Sequence, residues 1–372
     1  VVTGVQTCAL PICKERWLAA IDFEPVDRLP FWPKLDAAYP RMQREPFRRQ
    51  DNLDIHRWIG SDPHVFVGPG LREHRPNSDH EFRRTDDQRL EIYHTPHGEL
   101  IKRCIFDEDS QSWHPIEFPV KTREDILALT AWYDDLRIDL DPDAMAEVKA
   151  RYDAFGDEAC VGAGIGESGL MSFVEWLAGI ENAHFLLADH EQEVLALFEA
   201  IQRTLVRRAE LLAEHHPADL FYMIENTSTT LISVEQYRRY DKPHLLQLAE
   251  AVTGRGRRLI FHMCGHLKLL LDDLNDIPVT GFEAFTAPTL GSATLLDGRT
   301  HCPEKALVGG THAMIWLEQP QRIIAQLQQW LDPLAHHRGL VVTSSGVMPP
   351  LCPPERIKAV CDWVKQYPAK TS

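Results

Sequence analysis

From Pro142 onward the chain repeats one unit, a short apolar run followed by a longer stretch with helical spacing. The runs are EACVGAGIG, DLFYMIE, RRLIFHMC, GFEAFT, KALVGG and GLVVTSS. Segments apolar on both faces are covered on both sides, as in a parallel sheet whose crossover helices pack against it. With DRLPFWP and PHVFVG as two earlier strands the count reaches eight, so the expected architecture is α/β, a (β/α)8 TIM barrel. A chain of 372 residues can hold such a barrel as one domain, expected here over residues 14–368. KERWLAAIDFEP, from Lys14, predicts a short amphipathic helix ahead of the first strand. Residues 80–120 break the rhythm, because LEIYHTPHGELIKRCIFD alternates polar and β-prone positions around a Pro-His-Gly turn. That pattern predicts an inserted, β-rich set of antiparallel hairpins.

Composition removes several classes of partner. A formal charge of −16, with no dense run of Lys and Arg, argues against nucleic acid. No stretch of eighteen apolar residues is present, so no membrane span is expected. The eight cysteines are scattered over a long chain rather than crowded into a disulfide framework, which points to a reducing cytoplasm. VVTGVQTCALPI, residues 1–12, lacks the basic start and apolar core of a signal peptide. It reads as the translation of a sequencing adapter. Cys8 is therefore assigned no function, and the natural N-terminus is expected to lie outside this sequence.

Barrel chemistry sits on the loops at the carboxyl ends of the strands, so those ends are where candidate residues are sought. In LIFHMCGHLKLL, alternation places His262 and Cys264 on one face and Phe261 and Met263 on the other. An imidazole and a thiol about 7 Å apart along a strand are within reach of one tetrahedral ion. The bland alternative is a buried histidine and a buried thiol that only fill space. Glu283, in the next strand, is a carboxylate among apolar residues and calls for a cation or a donor. Cys352 lies in the loop after the last strand, which in a closed barrel approaches the others. One imidazole, one carboxylate and two thiols favour zinc over magnesium or calcium. Glu225 and Asn226 end DLFYMIEN and are expected to face the mouth and orient a substrate, the alternative for Glu225 being a plain ion pair. His312, in GGTHAMIW, ends another strand and is a candidate acid, base or substrate contact. Gly164, Gly166 and Gly169 spell G-x-G-x-x-G, but no acidic residue ends a second strand where a ribose would need it, so a permissive loop is expected. His266, Glu181, Asn182, His336, His337, Trp113, Trp176 and Trp316 are assigned capping, surface or packing roles.

KERWLAAIDFEPVDRLPFWP, HTPHGEL, SWHPIEFPVKTREDI, ISVEQYRRYDKPHL, FHMCGHL and SGVMPPLCPPERIKAV, in that order, resemble the uroporphyrinogen decarboxylase superfamily. The similarity covers nearly everything after Lys14 and is strongest to its zinc-dependent methyltransferases that act with corrinoid proteins. The resemblance implies a Zn2+ ion held by His262, Cys264 and Glu283, and a methyl group moved between a small methylated substrate or thiol and a corrinoid (methylcobalamin) carried by a partner protein. It departs in one place. The last zinc cysteine of such proteins falls at Ser345 here, and Cys352 lies seven residues further on. An extended segment of that length spans up to about 24 Å, so Cys352 reaches the ion only if the Pro-rich loop folds back. The chain has no Asp-x-His-x-x-Gly corrinoid signature of its own, in keeping with a separate partner. Two other readings stay open: a metal-independent decarboxylase, and a barrel that binds a corrinoid without turnover. A homodimer is admitted by the sequence and not required by it.

Overall fold

The computed structural model describes residues 12–36 and 38–370. The adapter reading and Cys8 fall on residues 1–11, outside the described residues. Eight strands form one parallel sheet curled into a barrel: β1 (Phe31–Trp32), β2 (His64–Phe66), β3 (Cys160–Gly166), β4 (Leu220–Ile224), β5 (Leu259–His262), β6 (Gly281–Phe285), β7 (Ala306–Gly309) and β8 (Leu340–Thr343). Each pairs with its chain neighbour from β2 round to β8, and β8 returns to β1. The fold is thus the expected (β/α)8 barrel, and all eight runs picked from the sequence are its strands.

Period-two alternation sorts the side chains into two cores. Cys160, Leu220, Tyr222, Ile260, Ala306, Val308 and Val341 point into the barrel. Phe221, Phe261, Phe282, Leu307, Leu340 and Val342 point outward under the surrounding helices. The helix Cys13–Ile21 closes one end of the barrel, and its Trp17, Ala20 and Ile21 join the interior cluster. The seam between β1 and β2 is bridged by Asp62 rather than by a ladder. Its backbone N–H donates to Phe31 O at 2.8 Å, and its carboxylate accepts from Phe31 N at 3.0 Å. That carboxylate is fully buried and takes charge-assisted bonds from Arg16 at 2.6 Å and Arg28 at 2.7 Å, which supply the compensation a buried charge requires.

Between β2 and β3 a four-stranded antiparallel sheet (Asp79–Arg84, Gln88–Thr95, Gly98–Asp107, Ser112–Glu117) stands beside the barrel. Its Tyr93 meets Trp132 of the helix Arg123–Asp134 edge to face at 5.1 Å. A further antiparallel pair, Leu71–His74 with Arg137–Leu140, had no signal in the hydrophobic pattern, being largely polar and exposed. The segment after β3, which sequence spacing predicts as one long helical stretch, is broken instead. A π-turn over Phe173–Leu177 precedes the helices Ile180–Asp189 and Glu191–His215. The break falls at Gly179, whose φ of +76° and contact with the Phe118 ring exclude a side chain. His337, expected at a solvated helix end, is buried, with its Nε2 3.1 Å from Leu331 O.

Candidate functional site

Three non-glycine residues with left-handed backbone stand at or just past the carboxyl ends of barrel strands: Asn226 (φ +44°) after β4, Ala284 (φ +55°) in β6 and Ser345 (φ +60°) after β8. Such strain persists where the surroundings over-determine it, and it gathers at working sites. Ala284 forms a bulge, since the β6–β7 register shifts between Glu283 and Phe285.

Within the mouth, His262 and Glu283 are register partners on adjacent strands and both face the barrel axis. The imidazole Nδ1 is hydrogen-bonded to Glu283 Oε2. Lys34, two residues past β1, brings its Nζ to 3.2 and 3.1 Å from the two Glu283 oxygens and 3.2 Å from His262 Nδ1. Burial pushes His262 toward the neutral form, but the Glu283 charge overrides it and holds the ring's pKa up at about 9. Burial likewise disfavours the Glu283 carboxylate, yet Lys34 and then His262 pull its pKa down to about 2.

Cys264, just past the end of β5, is exposed and donates from Sγ to Asn226 Oδ1 at 3.2 Å. Asn226 Nδ2 in turn donates to Glu175 Oε2 at 3.1 Å, which fixes the orientation of the amide. The Glu175 carboxyl is pushed up by burial against the opposing pull of Asn226 and of His262. Gly265 makes this arrangement possible. A Cβ there would collide with the Thr227 carbonyl and with Ser228, so only glycine lets the loop after β5 lie against the loop after β4. A cavity of about 260 Å³ opens beside these groups, lined by Lys34, Phe66, Gly164, Tyr222, Ile224, His262 and Glu283. Lys34 is the one lysine or arginine lining it among the described residues. Tyr222 Oη is buried without a hydrogen-bond partner among the described residues.

The structure thus pairs His262 with Glu283 and Cys264 with Asn226, and leaves three other candidates aside. Glu225 does not face the mouth. Leu220, Tyr222 and Ile224 take the inward face of β4, so alternation turns Glu225 outward, fully buried, where Ser168 donates to it from Oγ at 2.7 Å and from N at 3.2 Å. Cys352 does not fold back. Its loop is pinned by Tyr39 Oη on Cys352 O at 2.5 Å and by Gln43 Nε2 on Pro350 O at 2.6 Å. The thiol lies in the outer core, where burial pushes its pKa up to about 12. His312 follows β7 nearly buried, outside the cavity lining and with Nδ1 unpartnered among the described residues. Ser345 directs its hydroxyl to Phe285 O at 3.4 Å.

The donor types suit zinc: one imidazole, one carboxylate and one thiol. Their arrangement suits an ammonium, because Lys34 holds the two inner donors and, among the described residues, no group of three or more His, Cys, Asp and Glu is gathered to hold a metal ion. Two of the site's members escaped sequence reasoning. Lys34 could have been found, since it directly follows a strand-ending Trp-Pro; Glu175 could not, because its position depends on the π-turn.

A parallel eight-stranded barrel with its polar network at the carboxyl ends of the strands has the architecture of a (β/α)8 enzyme. The family model described as uroporphyrinogen decarboxylase (URO-D) matches residues 165–367, more than half of the chain. The chain belongs to that family. No curated protein matches it in sequence. Among solved structures, a methyltransferase from Methanosarcina mazei superposes with a TM-score of 0.62 at 15% identity, covering 96% of this chain and 100% of that one. A presumed vitamin-B12 independent methionine synthase from Listeria monocytogenes gives a TM-score of 0.41 at 12% identity, covering 60% of this chain and 68% of that one. At these identities the first match speaks for the fold, and the second is too loose to carry weight.

Proposed function

We propose that the protein is a methyltransferase that moves a methyl group between a small methylated substrate or thiol, bound in the barrel mouth, and a corrinoid carried by a separate protein. The observation that carries this reading is the exposed Cys264 thiol, bonded to Asn226 and two residues past the His262 that lines a small, largely apolar-walled cavity. His262, Cys264 and Glu283 would hold a zinc ion. Bound there, zinc supplies Lewis acidity that stabilises a substrate thiolate or improves a leaving heteroatom. The chain's own groups do the remaining work. Phe66, Tyr222 and Ile224 wall the substrate from water, and Glu175 fixes Asn226 beside the thiol. The scattered free cysteines favour the cytoplasm as its place of action.

Porphyrinogen decarboxylation suits the mouth poorly. A substrate with several carboxylates needs several cations, and this cavity offers Lys34 against Glu283, with Glu175 nearby. Decarboxylation of a small monoacid remains the second reading, because Lys34 could receive one carboxylate.

The test is the visible spectrum of methylcobalamin incubated with zinc-supplemented protein and a panel of small thiols. Thiol-dependent loss of the methyl–cobalt species is expected, and Cys264→Ala should slow it by at least the roughly 100-fold that outer partners of a metal already cost. Unchanged turnover in Cys264→Ala, or release of carbon dioxide from a small acid in its place, would refute the reading.

A further inference from the structure

Glu283 is 1% exposed, and a carboxylate at that depth calls for a cation or a donor. In this chain the cation is the ammonium of Lys34, within 3.2 Å of both carboxylate oxygens and of His262 Nδ1. An ion held by both His262 and Glu283 would have to contend with that ammonium for the same two side chains. The lysine is built into position rather than draped there. Its backbone N donates to Ser344 Oγ at 3.2 Å, and its backbone O accepts from Met348 N at 2.8 Å, so the loop after β8 grips the residue on both sides. Only the side chain is free to move. It is 20% exposed, and the open cavity lies beside it.

We propose that Lys34 is a displaceable internal cation that competes with a divalent metal for Glu283 and His262. Its ammonium compensates the buried carboxylate and holds the two side chains in place. When a metal enters, the ammonium swings into the cavity, where it becomes a positive group facing the substrate. A metal and Lys34 therefore exclude each other at these atoms, and the affinity of the site is set as much by the lysine as by the ligands. The inference rests on the proposal that His262, Cys264 and Glu283 can hold zinc. It goes beyond that proposal in assigning Lys34 the role of positioning residue and brake.

The test measures zinc affinity at one pH, by competition with a chromophoric chelator, for the wild type, Lys34→Met and Lys34→Arg. Removing a positive charge a few ångströms from a dication should tighten binding by at least about tenfold in Lys34→Met. Lys34→Arg should weaken it, because a planar guanidinium grips a carboxylate with two bonds and is harder to displace. Should Lys34→Met fail to fold, as judged by circular dichroism, Lys34→Gln removes the same charge with a polar side chain. A lysine that merely supports the structure would move both variants in one direction. Equal zinc affinity in all three proteins, or weaker binding in Lys34→Met, overturns the role of Lys34 while leaving the zinc site standing. Absence of zinc binding in every variant, Lys34→Met included, overturns the site itself and this inference with it.

Discussion

Glu225 and Asp241 form a fully buried pair of carboxyls behind the barrel wall, and replacing Glu225 by Gln tests how the fold tolerates them. Ser168 and Thr227 donate to Glu225, the latter at 3.4 Å, whereas both Asp241 oxygens are buried without a donor among the described side chains. A proton on Glu225 supplies the bond that Asp241 lacks. Burial first, then the charge of Asp241, push the Glu225 carboxyl well above its ordinary value, and burial lifts Asp241 as well. The sign follows from linkage. Below about pH 4.5 a glutamate holds its proton in both folded and unfolded states, and above it only the folded state does. Each further pH unit then removes about 1.4 kcal/mol of stability until the folded-state value is reached. Glu225→Gln places a permanent N–H donor where that proton sits, with the same net charge as the protonated pair, and the Ser168 hydroxyl can accept where it now donates. Urea denaturation of both proteins at pH 5 and pH 7 should show the variant gaining on the wild type as pH rises, by at most about 1.4 kcal/mol per unit, at unchanged m. A constant difference at the two pH values would mean that the pair is ionised, and the reasoning would be refuted.

Asp62→Ala should destabilise the protein by about 3–5 kcal/mol, because it opens the β1–β2 seam and takes from the Arg28 guanidinium its carboxylate partner; urea midpoints read it, and a loss below 1 kcal/mol would contradict the seam. Gly265→Ala should cost about 1–3 kcal/mol and, by shifting Cys264 away from Asn226, change the rate at which the exposed thiol reacts with a maleimide. Wild-type stability with an unaltered labelling rate would count against the packing described for that loop. Glu167, whose carboxyl is lifted to about 8 mainly by burial and then by Glu175, should lose stability as pH rises from the ordinary carboxyl range toward 8. Thermal melts of Glu167→Gln should accordingly pull ahead of the wild type as pH rises from 5 to 8, and parallel profiles would refute this assignment.

The barrel was legible because each strand is apolar on both faces, so a run such as RRLIFHMC announces burial without any knowledge of its neighbours. The phase of the alternation was less legible, and it decides function. In β5 the inward residues are Ile260 and His262, which the run suggests; in β4 they are Tyr222 and Ile224, which sends Glu225 to the wrong side for substrate contact. Local rules cannot fix that phase, since both faces of β4 are apolar. Cys352 was misplaced for a related reason. Sequence distance says how far a loop can reach, whereas the bonds from Tyr39 and Gln43 that hold this loop away come from residues more than three hundred positions earlier. The position of Lys34 at a strand end was open to local reading, but its pairing was not: Glu283 lies 249 residues away, and only closure of the barrel joins them.

X-ray absorption at the zinc edge, on zinc-loaded wild type and Cys264→Ser, examines the proposed centre at its ligands. One sulfur scatterer at about 2.3 Å beside nitrogen and oxygen at about 2.0–2.2 Å, with the sulfur gone in Cys264→Ser, is the predicted result. A spectrum without sulfur, or one whose sulfur persists in Cys264→Ser, would contradict a zinc ion held by Cys264.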